Sequence, residues 1–105
     1  MIARMWHGRV KSEDREEYVR YVIESGIKAL RSSPGNVRAM TWCRDEGDET
    51  HFHVVSFWES LDAIKRFAGD EYETAVYFPD DGDYLLEFEP KVVHFDVEAD
   101  EAGAN

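Results

Sequence analysis

The chain is predicted to fold as an α+β domain of the ferredoxin-like split βαβ type, β-α-β-β-α-β, with an antiparallel sheet covered by helices on one face. Three observations predict it. Stretches with strand and helix periodicity follow one another in that order along the 105 residues. Pro, Gly and short polar runs stand at the joints between them. Both faces of the expected central strands are apolar, so each face calls for a cover.

Residues 2–9 read as the first strand. Ser12 is placed to cap the helix that follows, with Glu13 and Asp14 at the positive end of its dipole. Val19, Val22/Ile23, Gly26/Ile27 and Leu30 mark the buried stripe of that helix. Ser32-Ser33-Pro34-Gly35 ends it, because Pro34 lacks a backbone donor and Gly35 permits a tight turn. Residues 36–44 and 50–58 form two strands joined by the short polar link 45–49.

After Trp58, Ser60 caps a second helix over 60–68, with Leu61, Ile64 and Phe67/Ala68 at helical spacing and Gly69 as its stop. Residues 72–78 are expected to add a helical turn or short helix, closed by Pro79-Asp80-Asp81-Gly82. Residues 83–89 read as a helical turn or a loop, which makes 79–90 either a lid or a packed segment. Residues 91–98 are the last strand. One domain, 1–98, is expected, with 99–105 as a frayed acidic tail.

Strand alternation assigns the faces. Phe52, Val54, Ser56 and Trp58 share one side of the third strand, and His51, His53, Val55 and Phe57 the other. On the first strand Met5 lies on one side, Ile2 and Trp6 on the other. Helices cover one face only, so the second is expected to pack on another copy, giving a homodimer with a barrel between its sheets.

The formal net charge is −11, with 43% hydrophobic and 13% aromatic residues. A globular domain with this charge repels phosphate backbones and anionic bilayers, so neither nucleic acid nor membrane is expected as a partner. Residues 69–90 hold many of the acids and no Lys or Arg, either as a solvated face or as a field steering neutral or cationic ligands. Cys43 is the lone cysteine, which fits a reducing compartment, and the N-terminal residues lack the apolar core of a signal peptide. The expected location is cytoplasmic.

Aromatics with a polar end suit flat conjugated ligands. Trp6, Trp58, Phe67 and Tyr72 are the candidate walls for a small aromatic molecule, and Tyr77 a phenol donor to it. His53 or His7 is the candidate base, since an imidazole beside an apolar pocket suits general-base work. His94 has the same chemistry. His51 and His53 point to one face, yet a metal needs three or four ligands and no motif supplies the rest, so no metal is expected. No nucleophile triad, phosphate-binding loop, dinucleotide fingerprint or paired-cysteine motif is present. No cofactor is expected, and an oxygenase built this way would take its electrons from the substrate.

The strand-Phe57-Trp58-x-Ser60-helix junction, with the order and lengths of the elements over residues 2–98, resembles the antibiotic biosynthesis monooxygenase superfamily of dimeric α+β barrels. The resemblance implies a homodimer with a pocket between sheet and helices in each subunit. Some members oxygenate aromatic polyketides or quinols without metal or flavin, and others degrade heme. The heme-degrading branch uses an Asn, a Trp and a His at positions that fall here at or near Gly8, on Phe67 and on Tyr77. All three departures disfavour heme cleavage, and they leave the Tyr77 phenolate as the conceivable iron ligand. The expected function is a cofactor-independent, monooxygenase-like activity on a small aromatic or quinol-type substrate. The alternative is a non-catalytic barrel that binds a small molecule.

Overall fold

A computed structural model describes residues 1–104. Strands β1 (Ile2–Lys11), β2 (Asn36–Glu46), β3 (Glu49–Trp58) and β4 (Val93–Asp96) form one antiparallel sheet in the order β2-β3-β1-β4. β1 and β3 are central, as the split βαβ order requires. Their register pairs Ile2 with Trp58, Arg4 with Ser56, Trp6 with Val54 and His7 with His53. Because side chains alternate, the first three of these pairs face the helices and the histidine pair faces away.

The first helix is continuous in space but changes pitch. It comprises α1 (Arg15–Val22), a wide π-helical stretch Ile23–Ile27, and α2 (Lys28–Arg31). Its buried residues are Tyr18, Val22 and Leu30; Ile23, expected beside Val22 in the stripe, points to solvent. Ser12 is not the cap. Residues Ser12–Asp14 form a short 3-10 turn, and the Ser12 hydroxyl lies 3.3 Å from Thr50 Oγ1 instead. The helix therefore starts at Arg15, without a side-chain cap.

The second helix, α3 (Leu61–Ala68), begins as its sequence prescribes, with the Ser60 hydroxyl accepting the Ala63 amide at 3.2 Å. Gly69, at φ +90°, ends it. The β2–β3 hairpin turns tightly through residues 47–48, with Gly47 at φ +63°.

Residues 72–78 do not form the expected helical turn. Their β-branched and aromatic content suits extended chain, and residues 73–75 pair with 90–92 through Val92 N–H to Glu73 O and Ala75 N–H to Pro90 O. Val76 and Phe78 thereby turn inward. Residues 79–90 are a packed segment. After a 3-10 turn at Asp81–Asp83, Leu85 bridges to Val10 and the Leu86 amide bonds Arg9 O at 2.9 Å. This covers the part of β1 that β4, shorter than the expected 91–98, does not reach. Residues 99–104 are exposed chain without regular structure; Asn105, the last of the expected tail, lies outside the described residues.

Two apolar clusters fill the space between sheet and helices. Val10, Tyr18, Val22, Phe52 and Leu85 form one, and Leu30, Trp58, Ala63 and Ile64 the other. The opposite sheet face carries Met5, Met40, Trp42, Val55, Phe57, Val93 and Phe95. Trp42, Val93 and Phe95 there are 47%, 55% and 50% exposed.

Candidate functional site

A small cavity of about 60 Å³, open to solvent on one side, lies between the two clusters on the helix side of the sheet. β1 contributes Arg4 and Trp6, β3 Val54 and Ser56, and α1 Tyr18 and Val22. The wide helical turn adds Ser25 and Gly26, α3 adds Phe67, and the extended chain after it adds Val76, Phe78 and Asp81. The Trp6 ring lies over Gly8: a Cβ there would stand 2.4 Å from Trp6 Cη2.

One cationic and one carboxylic side chain are buried in this wall. Arg4, 4% exposed, donates from Nη1 to Tyr72 O and from Nη2 to Thr74 O at 3.1 Å, and its Nη1 lies 3.1 Å from His94 Nε2. Its guanidinium carbon sits 5.8 Å from the Phe67 ring centre, within cation–π range. Among the described residues no carboxylate forms an ion pair with it. Burial alone lowers its pKa to about 10.

Asp81 is 5% exposed. Its Oδ1 accepts the Tyr18 hydroxyl at 2.9 Å and its Oδ2 the Phe78 amide at 2.6 Å. Burial pushes the Asp81 carboxyl above the usual range, against the pull of those two donors. The Tyr18 phenol is pushed up as well, by its own burial first and then by Asp81. The pair is a proton acceptor in an apolar setting, tuned toward neutrality.

Of the residues singled out in the sequence, Trp6 and Phe67 line the cavity. Trp58 stands behind it, fully buried, with its ring 5.6 Å from Phe67 and its Nε1–H donated to Ser56 Oγ at 2.8 Å. Tyr72 supplies a backbone oxygen to Arg4, while its ring packs on His94. Tyr77 is not a cavity residue. Its hydroxyl donates to Glu89 O, and its ring packs edge-on to Trp6 and Phe88.

His53 and His7, the candidate bases, lie by the register on the far side of the sheet from this cavity. There they form a row. His7 Nδ1 contacts Glu89, His7 Nε2 lies 2.8 Å from His51 Nδ1, and the His7 and His53 rings are 4.9 Å apart. Burial, then the neighbouring His7 and His51, lowers the His53 pKa. Among the described residues no group of three or more His, Cys, Asp or Glu is arranged to hold a metal. Cys43 is half-buried, and burial raises its thiol pKa.

A family model, antibiotic biosynthesis monooxygenase, matches residues 1–76. The chain belongs to this family. No curated protein sequence matches. Solved structures share the fold of this monooxygenase-family chain at low sequence identity. A putative antibiotic biosynthesis monooxygenase from Bacillus cereus is 16% identical, with TM-score 0.68 and 97% of each chain covered. A monooxygenase of Streptomyces coelicolor in complex with nanaomycin D is 17% identical, with TM-score 0.62, covering 98% of this chain and 91% of that one. The heme-degrader MhuD from Mycobacterium tuberculosis, with two hemes in its active site, is 17% identical, with TM-score 0.61, covering 97% and 100%. Among the described residues no helix is long and apolar enough to cross a membrane.

Proposed function

We propose that the chain is a cofactor-independent monooxygenase acting on a small aromatic or quinol-type substrate held in the cavity. The observation that carries this reading is an aromatic enclosure of Trp6, Phe67 and Phe78 with one buried carboxylate, Asp81, in its wall. Two of the neighbours hold ligands with conjugated rings, nanaomycin D in one and heme in the other, in keeping with such an enclosure. Heme fits poorly as the occupant. The cavity wall offers no imidazole, and its one phenol, Tyr18, is committed to Asp81.

For an anthrone-type substrate the chemistry closes without another redox partner. Asp81 takes a proton from the activated CH₂ carbon, leaving an electron-rich anion that adds dioxygen as a C–O–O⁻ group. Loss of the second C–H proton with cleavage of the O–O bond gives a carbonyl and hydroxide. Hydroxide leaves as water with the proton held on Asp81. One oxygen atom enters the product, and the four electrons that reduce dioxygen come from the substrate carbon. A carboxyl with its pKa raised by burial is the stronger base for that first step.

The exposed apolar face with Trp42, Val93 and Phe95 supports a homodimer through the open side of the sheet. The lone Cys43 fits a reducing, cytoplasmic setting. Oxygen uptake by metal-stripped protein against anthrones, dihydroxynaphthalenes and hydroquinones tests the function. Uptake above the no-protein rate, falling about 10²- to 10⁴-fold in Asp81→Asn, is expected. His53→Ala and Tyr77→Phe should keep most of the rate. Ligand-induced thermal stabilisation with no uptake from any compound would instead favour the non-catalytic binding barrel.

A further inference from the structure

We infer that the cavity holds its ligand through an aromatic oxyanion seated on Arg4 and Ser56. This rests on the cavity being the ligand site and goes further by stating the charge of the group it selects. Arg4 and Ser56 are register partners on the two central strands, face the same way, line the cavity, and are 4% and 2% exposed.

Guanidinium carries five N–H donors, of which three are engaged here, two from Nη1 and one from Nη2. The donors left are Nε–H and one N–H of Nη2, which can donate to two oxygens, or both to one. Ser56 Oγ already receives the Trp58 N–H, so its own proton is available to a further acceptor. A cation taken out of water without a counter-ion is costly unless something negative completes the site. Among the described residues, the hydrogen-bond and cation–π partners of Arg4 are neutral oxygens, an imidazole nitrogen and a ring face.

The overall charge works the other way. At −11 the molecule repels anions at a distance, so preference for an oxyanion has to arise inside the cavity. A neutral hydroxy-aromatic can pass that field and ionise once bound, its oxygen stabilised by Arg4. In the proposed reaction the same seat stabilises the enolate oxygen formed when Asp81 takes the proton.

Binding isotherms with 2-hydroxy-1,4-naphthoquinone and its methyl ether, and with 2-naphthoate and its methyl ester, test this directly. The hydroxyquinone in its ionised form should bind about 10- to 100-fold tighter than the ether, and Arg4→Met should bring the two near parity. Preference for the naphthoate over its ester would show that a carboxylate can supply the oxyanion. Should Arg4→Met not fold, the wild-type protein still decides the matter, because the visible band of the bound hydroxyquinone reports its ionisation. That ionisation must move to lower pH on binding; an unchanged or upward-shifted titration overturns the inference. So does equal affinity within each pair, or no binding by any of the four. Oxygen uptake is read separately, so oxyanion preference without turnover sinks the oxygenase reading alone, and turnover without preference sinks this one alone.

Discussion

Gly8→Ala is the substitution most directly dictated by the cavity's construction. The added methyl would lie 2.4 Å from Trp6 Cη2, 2.6 Å from Cζ2 and 3.0 Å from Leu85 Cδ2. Carbon atoms rest about 3.5–4.0 Å apart, so the indole must move by roughly 1 Å or more. Its neighbours restrict the move, since Trp6 is packed edge-on to Tyr77, whose hydroxyl is tied to Glu89 O. Overpacking of this kind costs about 1–3 kcal/mol, and replacing a strand glycine by alanine returns about 0.5–1. The expected net loss is about 0.5–2 kcal/mol, and each kcal/mol lowers Tm by roughly 4–8 °C in a domain of this size. Thermal unfolding of Gly8→Ala, Trp6→Phe and the double variant measures it. Phenylalanine lacks the ring atoms that collide, so the alanine should cost clearly less in the Trp6→Phe background. An alanine penalty that is absent, or that is the same in both backgrounds, would refute the seat assigned to Trp6.

Tyr18→Phe removes the 2.9 Å donor to Asp81 and should cost about 1.5–3 kcal/mol, measured by denaturant unfolding. It should also raise the Asp81 pKa further and move the acid limb of any oxygen-uptake profile to higher pH. The His53 and His94 pKa values are lowered from 6.5, mainly by burial, so the unfolded chain binds more protons just below that pH. Stability should therefore fall as pH drops through 6.5 toward the folded values, and His53→Gln should flatten part of that slope in Tm-against-pH scans. Phe95→Arg, on the open sheet face, should shift the sedimentation mass from dimer to monomer while the helix-side cavity still binds ligand. A mass unchanged by the substitution would count against that interface.

Much of this fold is legible in strand alternation and local turn chemistry. Ser60, Gly69 and the Gly47 hairpin act within a few residues of themselves, so the sequence displays them. The helical turn expected at 72–78 fails because pairing with 90–92 is a long-range contact that no local pattern shows. In the site, Trp6 and His7 are neighbours on a strand, and His53 and Trp58 are five apart, so neither pair can share a face. Joining those tryptophans to those histidines in one pocket contradicts the period that identified the strands. The same period contains the signal for Arg4, a charged residue in phase with Ile2 and Trp6 on the covered face. Asp81 carries no such mark. It sits in an acidic run, and its burial against Tyr18 follows from the path of a segment whose course is set by packing on β1.

The wide stretch at Ile23–Ile27 lets one helix serve both apolar clusters. Leu30 follows Val22 by eight positions, which in a regular helix of 3.6 residues per turn would rotate it by about 80° from Val22. A wider turn, closed by i→i+5 bonds, takes up one surplus residue and brings Leu30 back into line. The stretch is thus a phase corrector with a residue to spare. Removing one residue within 23–27 should leave a regular helix with both anchors seated, whereas the same deletion within 15–22 should turn Tyr18 away from Phe52. Length variation in this helix is therefore expected to be tolerated at the segment that carries Ser25 and Gly26 to the cavity wall.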